Sequence, residues 1–287
     1  MAEARWDLPR DRETATTRLD ALVREHRFTI SVVFPLVGAV TLLASAEGLL
    51  PPPLAFNPFF VLFGTLVMRL PLVAGVTPLL SRRATAALLA LTAYSYAIEL
   101  VGVRTGWPYG AFEYGVDLGP MLFGEVPLGL PVFFFPLVLN AYLLVLLLLG
   151  RRADTAALRL PATLATVLLI DLVLDPGAVG IGFWVYEQGQ FYGVPWSNYL
   201  GWVLSGTVAV VLFDWGFDRA GLRQRLAECE FMLDDLVSFV LLWGGINLFY
   251  ANWVPVALAA LLGTGLLKTD RFDFDLSETR LGGAVWR

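Results

Sequence analysis

Three side-chain types are nearly missing from this 287-residue chain. Cys229 is its one cysteine, so an intramolecular disulfide is impossible and cysteine usage says nothing about redox compartment. His26 is its one histidine. Membrane di-iron oxygenases and desaturases need clusters of His ligands, and zinc hydrolases need nitrogen or sulfur ligands, so neither kind of centre can be assembled. A haem with a His ligand on the side away from His26 is excluded too. Lys268 is the single lysine, against nineteen arginines. With a net charge of −5, that bias hints at a GC-rich and salt-adapted source. No Gly-rich strand-to-helix turn suggests a nucleotide site, and nothing supports nucleic-acid binding. Charge itself is scarce, at 16% of residues, where soluble domains carry roughly 25%.

Apolar residues fill the gap: 57% of the chain is hydrophobic and the mean hydropathy is +0.68. Apolar runs recur at about the length that crosses a ~30 Å hydrocarbon core. They predict an all-α, polytopic integral membrane protein with spans near 28–49, 55–80, 84–103, 127–149, 161–182, 198–216, 231–250 and 252–267. Basic residues fall on one side of this parse. Eighteen of the twenty flank the ends that share a side with the N-terminus, which makes both termini cytoplasmic. The exceptions are Arg104, in an outer loop, and Arg69, inside span two. The expected organisation is an Arg-rich cytoplasmic segment (1–27), a transmembrane domain (28–267) and a cytoplasmic tail (268–287), in a multi-pass protein of the cell membrane. Residues 1–27 are polar and hold six arginines, so no cleavable signal is expected there.

Ionisable groups inside a bilayer are costly and mark candidate functional sites. Glu47, Arg69, Glu99, Asp171, Asp175 and Asp214 fall in or near the spans. For Glu47 and Asp214 the expectation is snorkelling at a helix end. Asp171 and Asp175, in "IDLVLDPG", are four apart and share a helical face, just before Pro176–Gly177, where regular backbone is expected to break. Arg69 is expected to neutralise one of them. Two outer loops mix acids with aromatic rings: "RTGWPYGAFEYGVDLGPMLFGEVPLG" (104–129) and "FWVYEQGQFYGVPWSNY" (183–199). An aromatic belt at the headgroups accounts for some of the rings, but not for acids interleaved with them twice on one side. Glu99, Glu113, Asp117, Asp171, Asp175 and Glu187 thus define an outer pocket.

A site of carboxylic acids, tyrosines and aromatic faces, open to lipid and lacking metal ligands, suits protonation of an isolated carbon–carbon double bond. The acid must be a carboxyl kept neutral by burial and neighbouring acids. The tertiary cation that follows is held by Trp and Tyr faces. Water then attacks, and a second carboxylate or a Tyr takes its proton. In this reading Asp175 or Asp171 donates the proton, and Glu99 and Asp117 tune it or position water. Trp107, Tyr109, Trp184 and Tyr186 stabilise the cation, Glu113 and Tyr114 complete the substrate-facing surface, and Arg69 is a structural counter-charge. No metal or other cofactor is expected. Asp171-x-x-x-Asp175 and Asp214-x-x-x-Asp218 also match, by spacing, the Mg²⁺-holding pairs of membrane prenyltransferases. The parse places those two pairs at opposite ends of their spans, which argues against a shared cluster.

Residues 99–131 and 171–202, "ELVGVRTGWPYGAFEYGVDLGPMLFGEVPLGLP" and "DLVLDPGAVGIGFWVYEQGQFYGVPWSNYLGW", resemble the CruF-type carotenoid hydratases. So does "FNPFFVLFGTLVMRLP" (56–71). The resemblance covers most of residues 28–267. It implies addition of water across the terminal isoprenoid double bond of an acyclic carotenoid end, giving a tertiary alcohol. The "TLVMRLP" run and the acidic, lysine-poor composition look more like the branch of salt-loving archaea. That branch turns the C50 carotenoid bisanhydrobacterioruberin into bacterioruberin; a 1′,2′-hydratase for γ-carotene-type molecules is the alternative. The implied partners are a carotenoid in the bilayer and other membrane enzymes of carotenoid biosynthesis. A non-catalytic binder or transporter of an apolar ligand and the prenyltransferase stay open beside this reading.

Overall fold

The computed structural model describes residues 8–274; Arg5, Arg280 and Arg287 of the basic ends lie outside them. An amphipathic α1 (Leu8–Glu25) precedes a π-helical turn, Thr29–Val33, that runs into α2 (Phe34–Ala46). Then come α3 (Pro58–Val76) and α4 (Arg82–Thr105). Short strands β1 (Phe112–Tyr114), β2 (Met121–Leu122) and β3 (Val126–Pro127) lead to α5 (Leu130–Leu149) and α6 (Ala156–Gly180). Strand β4 (Trp184–Tyr186) comes before α7 (Trp196–Gly216), α8 (Arg219–Glu228), α9 (Asp234–Phe249) and α10 (Trp253–Lys268).

Seven helical segments are long and apolar enough to cross a membrane: Thr29–Ala46, Pro58–Leu79, Arg82–Thr105, Leu130–Asp154, Ala156–Gly180, Trp196–Gly216 and Glu230–Phe249. The eighth expected span is α10, whose 16 residues reach about 24 Å at 1.5 Å each. Local signals set the ends. The Asn57 side chain accepts from the backbone N–H groups of Phe59 and Phe60 ahead of Pro58, starting α3 as an N-cap with proline in the first turn. Ser81 caps α4 through Ala84 N, and α4 ends at Gly106, whose φ of 74° is the left-handed conformation of a helix C-terminus.

The backbone break expected at Pro176–Gly177 does not occur, because α6 runs through Pro161 and Pro176 to Gly180. A proline removes one intrahelical bond, and a neighbouring helix can serve the carbonyls beside it. Asn247 of α9 does so, donating to Val173 O at 2.8 Å.

The core lies where α5, α6 and α9 meet, with Tyr142, Leu143, Ile170 and Leu236 buried. Phe59, Leu89, Leu200 and Leu261 are exposed outside, an apolar surface that only lipid would cover favourably. The ends expected to be freely solvated are in part tied down. Asp20 of α1 pairs with Arg225 at 2.6 Å, and Arg271 donates to the carbonyls of Cys229 and Glu230. Arg223 pairs with Asp154 at 2.8 Å, so α1, α8 and the 150–154 turn gather at one end of the bundle. The loops 106–129 and 181–195 occupy the other.

Candidate active site

Those two loops are joined by β1 and β4, which pair antiparallel in the register Phe112↔Tyr186, Glu113↔Val185 and Tyr114↔Trp184. A Cβ on Gly115 would lie 2.3 Å from Gly182 O, so only glycine lets the loops close this tightly. Side chains alternate along a strand. Phe112 and Tyr114 therefore turn inward and line a cavity of about 450 Å³, while Glu113 turns out and is exposed.

Three carboxylates gather on this cavity. Asp175 and Glu99 line it, and Asp171 is wholly buried one helical turn below Asp175. Asn198, in the first turn of α7, joins the aspartates: its Nδ2 donates to Asp175 Oδ2 and stands 3.4 Å from Asp171 Oδ2. The Tyr186 hydroxyl donates to Asn198 Oδ1 at 3.1 Å, and the Tyr114 hydroxyl donates to Glu99 Oε1. Among the described residues, none of these carboxylates has an arginine or lysine partner within salt-bridge distance. Burial pushes the Tyr114 phenol well above its usual range, with the Glu99 charge adding to it. Burial, then Asp175, Asp171 and Glu99, do the same to Tyr186. Both phenols are thereby favoured in the protonated form, as hydrogen-bond donors.

Tyr109 also lines the cavity. Its ring is held between α4 and α7, where a Cβ on Gly201 would lie 2.5 Å from it, and its hydroxyl is 2.7 Å from Ser205 Oγ. Trp184 lines the wall, and its indole Nε1 is buried with no protein partner among the described residues. Further rings complete the aromatic surface: Phe134 of α5 stacks on Trp202 of α7 at 5.2 Å, and Phe183 of the second loop meets Trp243 of α9 edge-on at 6.3 Å. Sequence reading missed Phe134, Trp202 and Trp243, because aromatics inside apolar runs read as membrane-facing residues.

The remaining expected site residues stand elsewhere. Asp117 is exposed and accepts from Gly119 N at 2.8 Å, a turn-forming role. Trp107 is 58% exposed, and Glu187 is exposed on the second loop. Arg69 lines the cavity, but its partner is neither Asp171 nor Asp175. Its Nη1 is 2.5 Å from Asp235 Oδ1, and Asn140 Nδ2 donates to the other oxygen of the same carboxylate. Asp235 is fully buried. The "LDD" that opens α9 was its signal, overlooked because acids at a helix start read as capping charges. Asp214 does not snorkel. Arg159 grips it in a bidentate pair (2.7 and 3.0 Å), and Tyr142 donates to it at 2.6 Å. It lies near the far end of α7, about 24 Å along the axis from Asn198, so the two Asp pairs cannot share a ligand. Glu47, at a helix end, accepts from the Tyr250 hydroxyl at 3.2 Å.

No solved structure matches the chain. Its sequence is 78% identical, over 284 residues, to the bisanhydrobacterioruberin hydratase of Haloarcula japonica, an alignment that covers 99% of this chain and 97% of that protein. Residues 56–266, which hold every carboxylate of the cavity, match the family described as carotenoid biosynthesis protein. The chain belongs to that family of carotenoid biosynthesis proteins.

Proposed function

We propose that the cavity adds water to the terminal isoprenoid double bond of bisanhydrobacterioruberin, the substrate named for the Haloarcula japonica relative, giving the tertiary alcohol ends of bacterioruberin. One observation carries the mechanism: Asp175, buried and without a cationic partner among the described residues, faces an aromatic-walled cavity beside two further carboxylates. In its neutral form Asp175 gives a proton to the less substituted alkene carbon. Positive charge then develops on the tertiary carbon, against the π faces of Tyr186, Trp184 and Tyr114. Water adds to that carbon, and Glu99, oriented by Tyr114, takes the proton that the water loses. Proton transfer back to Asp175 restores the site, so the sum is alkene plus water. Trp184 Nε1, buried without a protein partner among the described residues, is a free donor on the cavity wall that a water could satisfy.

Size suits an end rather than a whole polyene. At about 450 Å³ the cavity is of ordinary small-molecule size. The chain as a whole is assigned to the cell membrane, with loops 106–129 and 181–195 outside and both ends cytoplasmic; it would share its substrate there with the other membrane enzymes of the route. The test is incubation of purified protein with the carotenoid in ¹⁸O-labelled water, with chelator present and O₂ excluded. Label is expected in the new hydroxyl. Unlabelled product, or activity abolished by chelator and restored by Mg²⁺, overturns the proposal; no product at all points to a binder or transporter.

A further inference from the structure

The cavity lies beneath the outer loops, yet its wall is interrupted on the side away from Asp175. Four of the lining residues on α2 and α3 are also exposed: Val37 and Thr41 on α2, and Phe60 and Phe63 on α3. A side chain that both lines a cavity and faces outward marks an opening, and these four flank one seam between two membrane-spanning helices. Gly64 lies on that seam. It lines the cavity, and a Cβ built on it meets nothing within 4 Å. Below it, the rings of Phe34 and Phe63 approach to 6.4 Å and close the seam toward the α1 end. Above it, Leu54 and Asn57 of the connecting loop also line the cavity.

We infer that the seam between α2 and α3 is a lateral portal, through which a long apolar polyene slides end-first from the bilayer, and in which its unreacted length stays during turnover. The inference rests on the hydration reading for what happens at the far end, but the portal concerns the path. The carboxylates belong to α4 and α6, across the cavity from α2 and α3, so an end entering here reaches them last. A cavity of about 450 Å³ is of ordinary small-molecule size and smaller than a whole C50 polyene, so the remainder must leave through an opening. The rim is apolar, and the mouth stands among the exposed Val40, Phe59 and Leu66, so a chain in it passes from lipid to protein without crossing water. Transfer of an extended hydrocarbon through water would forfeit the hydrophobic free energy of its whole length.

Two measurements on the full-length protein in membranes test the portal. The first compares hydrated product from wild type, Leu89→Trp and Gly64→Trp, per unit of folded protein extracted. Leu89 is exposed on α4 away from the cavity, so its tryptophan is expected to stay within about twofold of wild type, whereas the indole at 64 fills the mouth and should lower turnover by about tenfold or more, the effect of a crowded site. The second places a photoreactive benzophenone amino acid at Phe63, and in a parallel protein at Leu89, which is 65% exposed on α4 and does not line the cavity. On illumination, position 63 should capture the polyene well above position 89. Equal turnover in Gly64→Trp and wild type, or capture at 63 no greater than at 89, overturns the portal. If wild type itself forms no hydrated product, the hydration reading fails, and the capture ratio still decides the path.

Discussion

Asn198 donates its amide hydrogens to Asp175 and reaches toward Asp171, so that one residue of α7 fixes the spacing of two carboxylates on α6. Tyr186 in turn fixes which way the amide points, because its hydroxyl donates to Asn198 Oδ1. Asn198 thus positions the acid rather than reacting. Asn198→Ala removes the bridge and leaves the two adjacent carboxyl groups without the residue that fixes their spacing. A misplaced reacting group can cost about 10²-fold, and turnover should fall by that order while the apparent affinity for the carotenoid changes little. Steady-state kinetics on extracted protein separates these effects; an unchanged turnover number would remove Asn198 from the mechanism.

The two aspartates are expected to differ. Asp175 lines the cavity, whereas Asp171 sits behind it. Asparagine keeps the size of Asp but cannot donate a proton of comparable acidity. Asp175→Asn should lower hydration by about 10²-fold or more, within the range of general acid catalysis, and Asp171→Asn should have the smaller effect. Both proteins should accumulate in the membrane, since each replaces an ionisable group, costly to bury there, by a neutral one of the same size. Full activity in Asp175→Asn would shift the donor to Glu99.

Much of this was legible in the sequence, for physical reasons. Apolar length marks a span, so the expected spans match the helices within a few residues, the largest shift being at α6, which starts at Ala156 rather than 161. Four-residue spacing fixes a shared face, which placed Asp171 beside Asp175. Contacts between distant segments left no such trace. Arg69 and Asp235 are 166 residues apart, and nothing in either run names the other. Strands β1 and β4 have three residues each, too few for alternation to stand out, so the outward turn of Glu113 was hidden. The role of Asp117 was readable in "DLG", a turn signal, but the surrounding acids suggested a pocket instead.

Sidedness supports the shared outer pocket and can be tested directly. Reporters that distinguish the two faces of the membrane, inserted at residues 115 and 190, should both give the external signal. Fusions within 150–154 should give the cytoplasmic one. A cytoplasmic signal at 115 or 190 would contradict the orientation, though not the β1–β4 pairing that joins the loops.

Asp214 and Asp235 separate structural carboxylates from reacting ones. Each neutralises an arginine away from bulk water: Arg159, whose side chain is 1% exposed, and Arg69, at 12%. Removing one member of a buried pair leaves an uncompensated charge and costs about 3–5 kcal/mol, far more than an exposed pair. Asp214→Asn and Asp235→Asn should therefore lower the thermal midpoint and the yield of extracted protein, whereas Asp175→Asn should not. Activity per folded molecule should divide them further. Asp214 lies at the far end of α7 from the cavity and should leave turnover within a few-fold of wild type. Asp235 holds the cavity-lining Arg69, so its loss should disturb turnover as well. Pairing Asp214→Asn with Arg159→Met removes both charges, and by the same argument should recover much of the lost stability. The measurement is a thermal aggregation midpoint for the single and double variants in one detergent. A double variant no more stable than Asp214→Asn would show that the ion pair is not what Asp214 contributes.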